Sequence, residues 1–145
     1  MGMLVDGTWE KSPVSTNNDN GEFVRKDSIF RHTLSEQDAV AGRYHLYISH
    51  ACPWAHRTMV MRKLKGLENV ISYSPVNAFM GDEGWTFSES GETVDPLHGF
   101  THLHQIYTKA NHKCTTKVTV PILWDKKEQT IINNESSEII RILNS

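Results

Sequence analysis

The stretch "YHLYISHACPWAHR", residues 44 to 57, changes character halfway along. Its opening "YHLYIS" alternates and is rich in strand formers, which predicts a strand over 44–49. Pro53 then suits the first turn of a helix, where its missing N–H costs nothing and its fixed φ is already helical. Val60, Leu64 and Leu67 follow at i, i+4 and i+7, and Gly66 marks the C-terminal end, so 53–65 reads as a helix. "VISYSPV", 70–76, supplies a second strand. A strand, a helical crossover and another strand imply a parallel pair.

Beyond this unit the pattern thins. Residues 77–112 are rich in Gly, Asp and His around Trp85, with a weak helical stretch "LHQIY". "KVTVPILWD" and "QTIINN" then read as two strands joined by the polar turn "DKKE". A closing helix is expected in "ESSEIIRILN". There Asn134 can cap, Glu135 and Glu138 suit the positive helix end, and Ile139, Ile140, Ile142 and Leu143 supply the buried face. Upstream, residues 1–39 read as an irregular extension that packs aromatics such as Trp9, Phe23 and Phe30 onto a domain over 40–145. Trp124 is likewise read as a packing aromatic. The order β-α-β, a variable middle, then β-β-α predicts an α/β, thioredoxin-like fold with a mixed four-stranded sheet. A chain of 145 residues forms such a core as one domain, burying about 68–70% of its unfolded surface.

The fold gives Cys52 a chemical reading. It lies where the strand ends and the helix begins, so the unpaired amides and dipole of that helix favour thiolate over thiol, and His56 and Arg57 can add positive character. In "CPWA", Ala55 stands where a resolving cysteine of a C-x-x-C motif would be, so a resolving thiol must come from outside. Cys114, read as lying in a polar loop, is not expected to serve. In "TVPIL", a cis Val120–Pro121 bond would free the backbone N–H and C=O of Val120 to pair with an extended peptide, and a small thiol peptide is the natural ligand. Glu135 and the Ser136 hydroxyl, with the amides of their helix, suit an amino-acid head group bearing both charges, while ordinary helix capping is the alternative for that pair.

Several other features and classes are set aside. His98, His102, His104, His112 and Cys114 crowd one polar stretch, but without a compact ligand pair repeated twice they read as a solvated loop. His50, Cys52 and His56 are explained by the helix start, so no metal is expected. A net charge of -2, a pI near 6.4 and the lack of a long basic run argue against nucleic acid or an anionic membrane as partner. Apolar runs such as "VPIL" and "IIRIL" fall far short of the roughly 18 residues of a membrane span. The N-terminus lacks the pattern of a secretory signal, and the two cysteines fit a reducing, cytoplasmic location with free thiols.

"HACPWAHR", "GW" at 84–85, "KVTVPILWDK" and "IINNESSEIIRILN", with "GEFVRKDSIFR" at 21–31 and "DPLHGFTHL" at 95–103, together resemble the glutathionyl-hydroquinone reductases, or Xi-class glutathione transferases. The resemblance implies glutathione as co-substrate and glutathionyl-hydroquinones as substrates. It implies Cys52 as the nucleophile, Trp85 and Lys117 as glutathione contacts, the Val120 main chain on the cysteinyl unit, and Glu135 with Ser136 on the γ-glutamyl group. Lys117 departs from the arginine usual there, which keeps charge but loses bidentate carboxylate binding. The family continues into a helical C-terminal domain that supplies the hydroquinone pocket and most of a dimer interface. This chain stops at Ser145, so that domain is expected to be absent and turnover weak or lacking. An omega-like thioltransferase or dehydroascorbate reductase uses the same cysteine with a looser acceptor. A non-catalytic thioredoxin-fold binding module would keep its function without Cys52.

Overall fold

The computed structural model describes residues 2–10, 30–78, 81–88 and 91–144; the expectation for Phe23 lies outside the described residues. In chain order the elements are β1 (Met3–Val5), β2 (Thr8–Glu10), a 3₁₀ turn (Glu36–Asp38), β3 (Tyr44–Ile48), α1 (Pro53–Leu64), β4 (Ser72–Pro75), α2 (His104–Ala110), β5 (Ile122–Asp125), β6 (Thr130–Asn133) and α3 (Ser136–Asn144). The main sheet has the order β4-β3-β5-β6. β3 runs parallel to β4 and antiparallel to β5, which is antiparallel to β6. This is the mixed four-stranded, thioredoxin-like arrangement. Every residue of β3 is buried, as a central strand covered on both faces requires. Its start is tied to the end of β5 by Arg43, whose Nε and Nη2 donate to the two oxygens of buried Asp125 at 2.9 and 2.7 Å. Burial pushes the Asp125 carboxyl up, but the Arg43 guanidinium and the amides of Glu128 and Lys127 outweigh it and hold the group below the usual range.

Helix α1 opens with Cys52 as extended N-cap and Pro53 in the first turn. It stops where Gly66, at φ 67°, lets the Gly66 amide reach the Lys63 carbonyl and the Leu67 amide reach the Arg62 carbonyl, a Schellman ending. The apolar row at i, i+4 and i+7 is not the face turned inward. Ala55, Thr58 and Arg62 point inward, while Val60 and Leu64 are exposed and Leu67 is half-buried. Small Ala55 and Thr58 allow close packing, and the inward polar groups are satisfied. Thr58 donates to the Ala55 carbonyl, and Arg62 donates to the carbonyls of Ile71 and Glu68 while lying over the Tyr73 ring.

Four further expectations change. Strand β5 begins only at Ile122, so residues 117–121 are not strand; the ladder starts after Pro121, which has no N–H to give it. The N-terminal extension is not wholly irregular: β1 and β2 form a hairpin whose Leu4 is fully buried and exchanges both backbone hydrogen bonds with Thr116. That docking makes Cys114 a core residue rather than part of a polar loop. Its carbonyl takes the Gly7 amide, its thiol faces the Tyr107 carbonyl, and burial pushes the thiol up. Finally, it is Asn133 whose side-chain oxygen takes the Glu135 amide at the start of α3, while Asn134 turns its carboxamide to Tyr107. Along α3, Ile139 and Leu143 are buried and Ile140 and Ile142 half-buried.

Candidate active site

Cys52 sits half-buried at the head of α1, with its backbone fixed by a bond from its amide to the Ser49 carbonyl and by the His56 amide on its own carbonyl. Among the described residues no side chain caps the helix start by a hydrogen bond, which leaves its first amides without that partner. Its Sγ lies 4.0 Å from the Val120 carbonyl oxygen. The Val120–Pro121 bond is cis, as expected from the sequence. Strand β5 starts beyond it, so the thiol and a length of main chain outside the ladder stand side by side.

The second cluster forms around the first turn of α3. The Ser136 hydroxyl oxygen accepts from Arg57 Nε at 2.9 Å and Nη2 at 2.6 Å, which joins α1 to α3. Having accepted two N–H bonds, that hydroxyl keeps its own proton to donate, and the guanidinium strengthens it as a donor. Arg57 also lies over the ring of exposed Trp54, 5.2 Å from its centroid. The adjacent Glu135 is half-buried, with its amide on Asn133. Glu138, one turn further, is held below the usual carboxylate range by its hydrogen bonds from Arg31.

Tyr107 links these two clusters. Its buried hydroxyl donates to the Thr119 carbonyl at 2.8 Å and accepts from the Asn134 side-chain amide at 2.9 Å and the Thr119 amide at 3.2 Å. The stretch before Pro121 and the stretch before α3 thus hang on one phenol. Sequence reasoning missed this role, and it took Arg57 only as a charge near the thiol. "LHQIY" signalled a helix, but a hydroxyl's partners 12 and 27 residues away leave no local trace.

The remaining expected residues lie as follows. Trp85 is buried in the core, with its carbonyl accepting from the Leu103 amide. Lys117 is exposed, on the run leading to Val120. His56 is exposed, and exposed His50 faces Glu92. Of the His-rich stretch expected to be a solvated loop, His112 is exposed in a turn but His98, His102 and His104 are not. Half-buried His98 lies between Phe100 and Trp124 and beside Asp95, and His102 and His104 are half-buried at the start of α2. Asp95 itself is buried, accepting from the Tyr47 hydroxyl and the amides of Leu97 and Phe100, so "DPLHGF" is a structural turn. Among the described residues no helix is long and apolar enough to cross a membrane.

Comparison with known proteins places this geometry in context. The family model "Glutathione S-transferase, N-terminal domain" matches residues 51–145. The glutathionyl-hydroquinone reductase PcpF of Sphingobium chlorophenolicum is 54% identical over 147 residues, a match covering 100% of this chain and 47% of that protein. Among solved structures, the Xi-class glutathione transferase of Natrialba magadii is 43% identical and superposes with a TM-score of 0.87 over 100% of this chain and 45% of its own. The glutathione-bound structure of YqjG from Escherichia coli K-12 is 46% identical, with a TM-score of 0.77 over 99% of this chain and 45% of its own. The chain therefore spans about half the length of the relatives it matches.

Proposed function

The chain belongs to the glutathione S-transferase family, whose N-terminal domain it carries, and on that premise we propose that it is the glutathione-binding part of a glutathionyl-hydroquinone reductase with Cys52 as nucleophile. The observation that carries this reading is the free thiol at a helix start, 4.0 Å from the Val120 carbonyl oxygen, with Ser136 and Arg57 across the same α1–α3 junction. Val120 offers its main chain to the cysteinyl unit of glutathione. The Ser136 hydroxyl donates to the γ-glutamyl carboxylate, and the Glu135 carboxylate takes the γ-glutamyl ammonium. Trp85 and Lys117 complete the contacts, Lys117 as a point charge towards the glycyl carboxylate.

In the reaction, the Cys52 thiolate attacks the sulfur of a glutathionyl-hydroquinone. The bond from that sulfur to the ring carbon breaks, the carbon takes the electron pair and a proton, and the hydroquinone leaves. Sulfur is oxidised and the ring carbon reduced, which leaves a Cys52–glutathione disulfide. A second glutathione thiolate then attacks the glutathione sulfur of that disulfide, releasing oxidised glutathione and the Cys52 thiolate. Ala55, in place of a second motif cysteine, and the burial of Cys114 both support an external resolving thiol.

The test supplies a glutathionyl-hydroquinone and glutathione and follows hydroquinone and oxidised glutathione by chromatography. Slow release that is lost in Cys52→Ser and kept in Cys114→Ser is the expected result. Release that survives Cys52→Ser would overturn the reading. Reduction of small glutathione disulfides without any hydroquinone release would replace it with the looser omega-like thioltransferase.

A further inference from the structure

Away from Cys52, segments 83–87 and 101–104 are stitched together. Thr86 and His102 form an antiparallel bridge, the Leu103 amide donates to the Trp85 carbonyl, and the Phe87 amide donates to the Thr101 carbonyl. This pairing sets Glu83 opposite two imidazoles. His102 Nε2 lies 3.3 Å from one carboxylate oxygen and His104 Nε2 lies 3.9 Å from the other. The three groups present ligand atoms within 4.8 Å of one another. The two imidazoles stack at 5.1 Å, and Trp9 of the N-terminal hairpin stacks on His104 at 5.2 Å while its indole N–H donates to the Asp82 carbonyl.

Both Nε2 atoms are turned to Glu83. The Thr101 hydroxyl oxygen lies 2.8 Å from His102 Nδ1 and 3.2 Å from Gln105 Oε1, so Nδ1 is engaged there and Nε2 is the ring nitrogen turned to Glu83. In the tautomer that donates from Nδ1 to Thr101, His102 Nε2 is a bare lone pair facing an anionic oxygen. A proton there would make a simple ion pair and settle that contact alone. His104 Nε2 is buried without a hydrogen-bond partner, turned to the same carboxylate. One cation bound to all three groups answers both features. Donors held at zinc-like bond lengths around a tetrahedral centre sit about 3.3–3.6 Å apart; the His102 contact at 3.3 Å falls in that range, and the His104 contact at 3.9 Å needs a small side-chain shift to reach it. The Thr101–His102 bond is the kind of outer hydrogen bond that orients a metal-binding histidine.

We propose that Glu83, His102 and His104 form a binding site for a divalent metal ion of the zinc class, with a fourth position open to water. Two imidazoles and one carboxylate suit zinc and its neighbours over calcium or magnesium. The bound ion cross-links the segment that carries Trp85, the start of α2 and, through Trp9, the N-terminal hairpin.

The test is calorimetric titration of tag-free protein with Zn²⁺, repeated for Cys52→Ser, Cys114→Ser, His102→Gln and His104→Ala, with Co²⁺ absorption as a second readout. The expected result is one Zn²⁺ per chain, affinity about tenfold or more weaker in each histidine variant, and affinity unchanged in both cysteine variants. Co²⁺ should give visible bands without a thiolate charge-transfer feature. Half-exposed His102 keeps the test open if His104→Ala fails to fold. Absence of stoichiometric Zn²⁺ binding, leaving an ion pair only, would overturn the proposal. So would binding that persists in His102→Gln, or binding that disappears with Cys52→Ser.

Discussion

Tyr107 shows how much one side chain can fix. Its hydroxyl satisfies the Thr119 amide and the Asn134 carboxamide in the interior, and the residues it positions are the neighbours of Val120 and Glu135. Replacing it with phenylalanine removes little volume but takes one hydrogen-bond partner each from the Thr119 amide, the Thr119 carbonyl and the Asn134 carboxamide. Tyr107→Phe is therefore expected to cost about 2–3 kcal/mol in urea unfolding. Because the same bonds hold both flanks of the proposed glutathione site, glutathione affinity should fall with it, while the free Cys52 thiol still reacts with a small disulfide reagent. Unchanged stability and affinity would mean that the phenol only fills space.

At the level of elements, two glycines separate conformational strain from steric clash. Gly66 ends α1 at φ 67° with open space where a Cβ would stand, so Gly66→Ala should cost about 1–2 kcal/mol for the left-handed backbone alone. Gly7 turns the β1–β2 hairpin at φ 80°, and a Cβ there would lie 1.8 Å from the His112 carbonyl oxygen. Gly7→Ala should thus be the costlier change and should expose Leu4 and the 112–116 stretch, read as faster amide exchange there. The two positions also mark what the sequence makes legible. Gly66 announces a helix end by itself, just as Pro53 announces the start and "YHLYIS" the central strand, because these signals are local. The hairpin, the inward face of α1 and the Tyr107 hub depend on partners far along the chain. Val60 and Leu64 recur with helical spacing, yet packing selects Ala55, Thr58 and Arg62, since small and well-bonded side chains allow the helix closer to the sheet. For the candidate site, the places of Cys52 at a helix start and Val120 before a proline are legible because a strand end and a proline constrain the backbone locally; the pairing of Arg57 with Ser136 is not.

For the whole molecule, acid stability follows from a buried imidazole in the sheet. His45 bridges the Ser72 and Ser74 hydroxyls at 2.6 and 2.8 Å, and burial lowers it from its ordinary 6.5 to about 4. Between these values the unfolded chain takes up a proton that the folded chain refuses, so stability falls as pH falls through that window, by about 3 kcal/mol in all. Above it His45 contributes no slope. The lowered carboxyls of Asp125 and Glu138 lose their contributions only at more acidic pH, below the ordinary carboxylate values. Urea midpoints followed from about pH 7 to about pH 4.5 should show the decline in the parent chain and a flatter profile in His45→Asn. On this stable frame rests the central claim, that Cys52 is the thiol that accepts glutathione. The most direct measurement is intact mass after incubation with oxidised glutathione, for the parent chain, Cys52→Ser and Cys114→Ser. The account predicts a single glutathione adduct that requires Cys52 and persists without Cys114; no adduct, or one that follows Cys114, would contradict it.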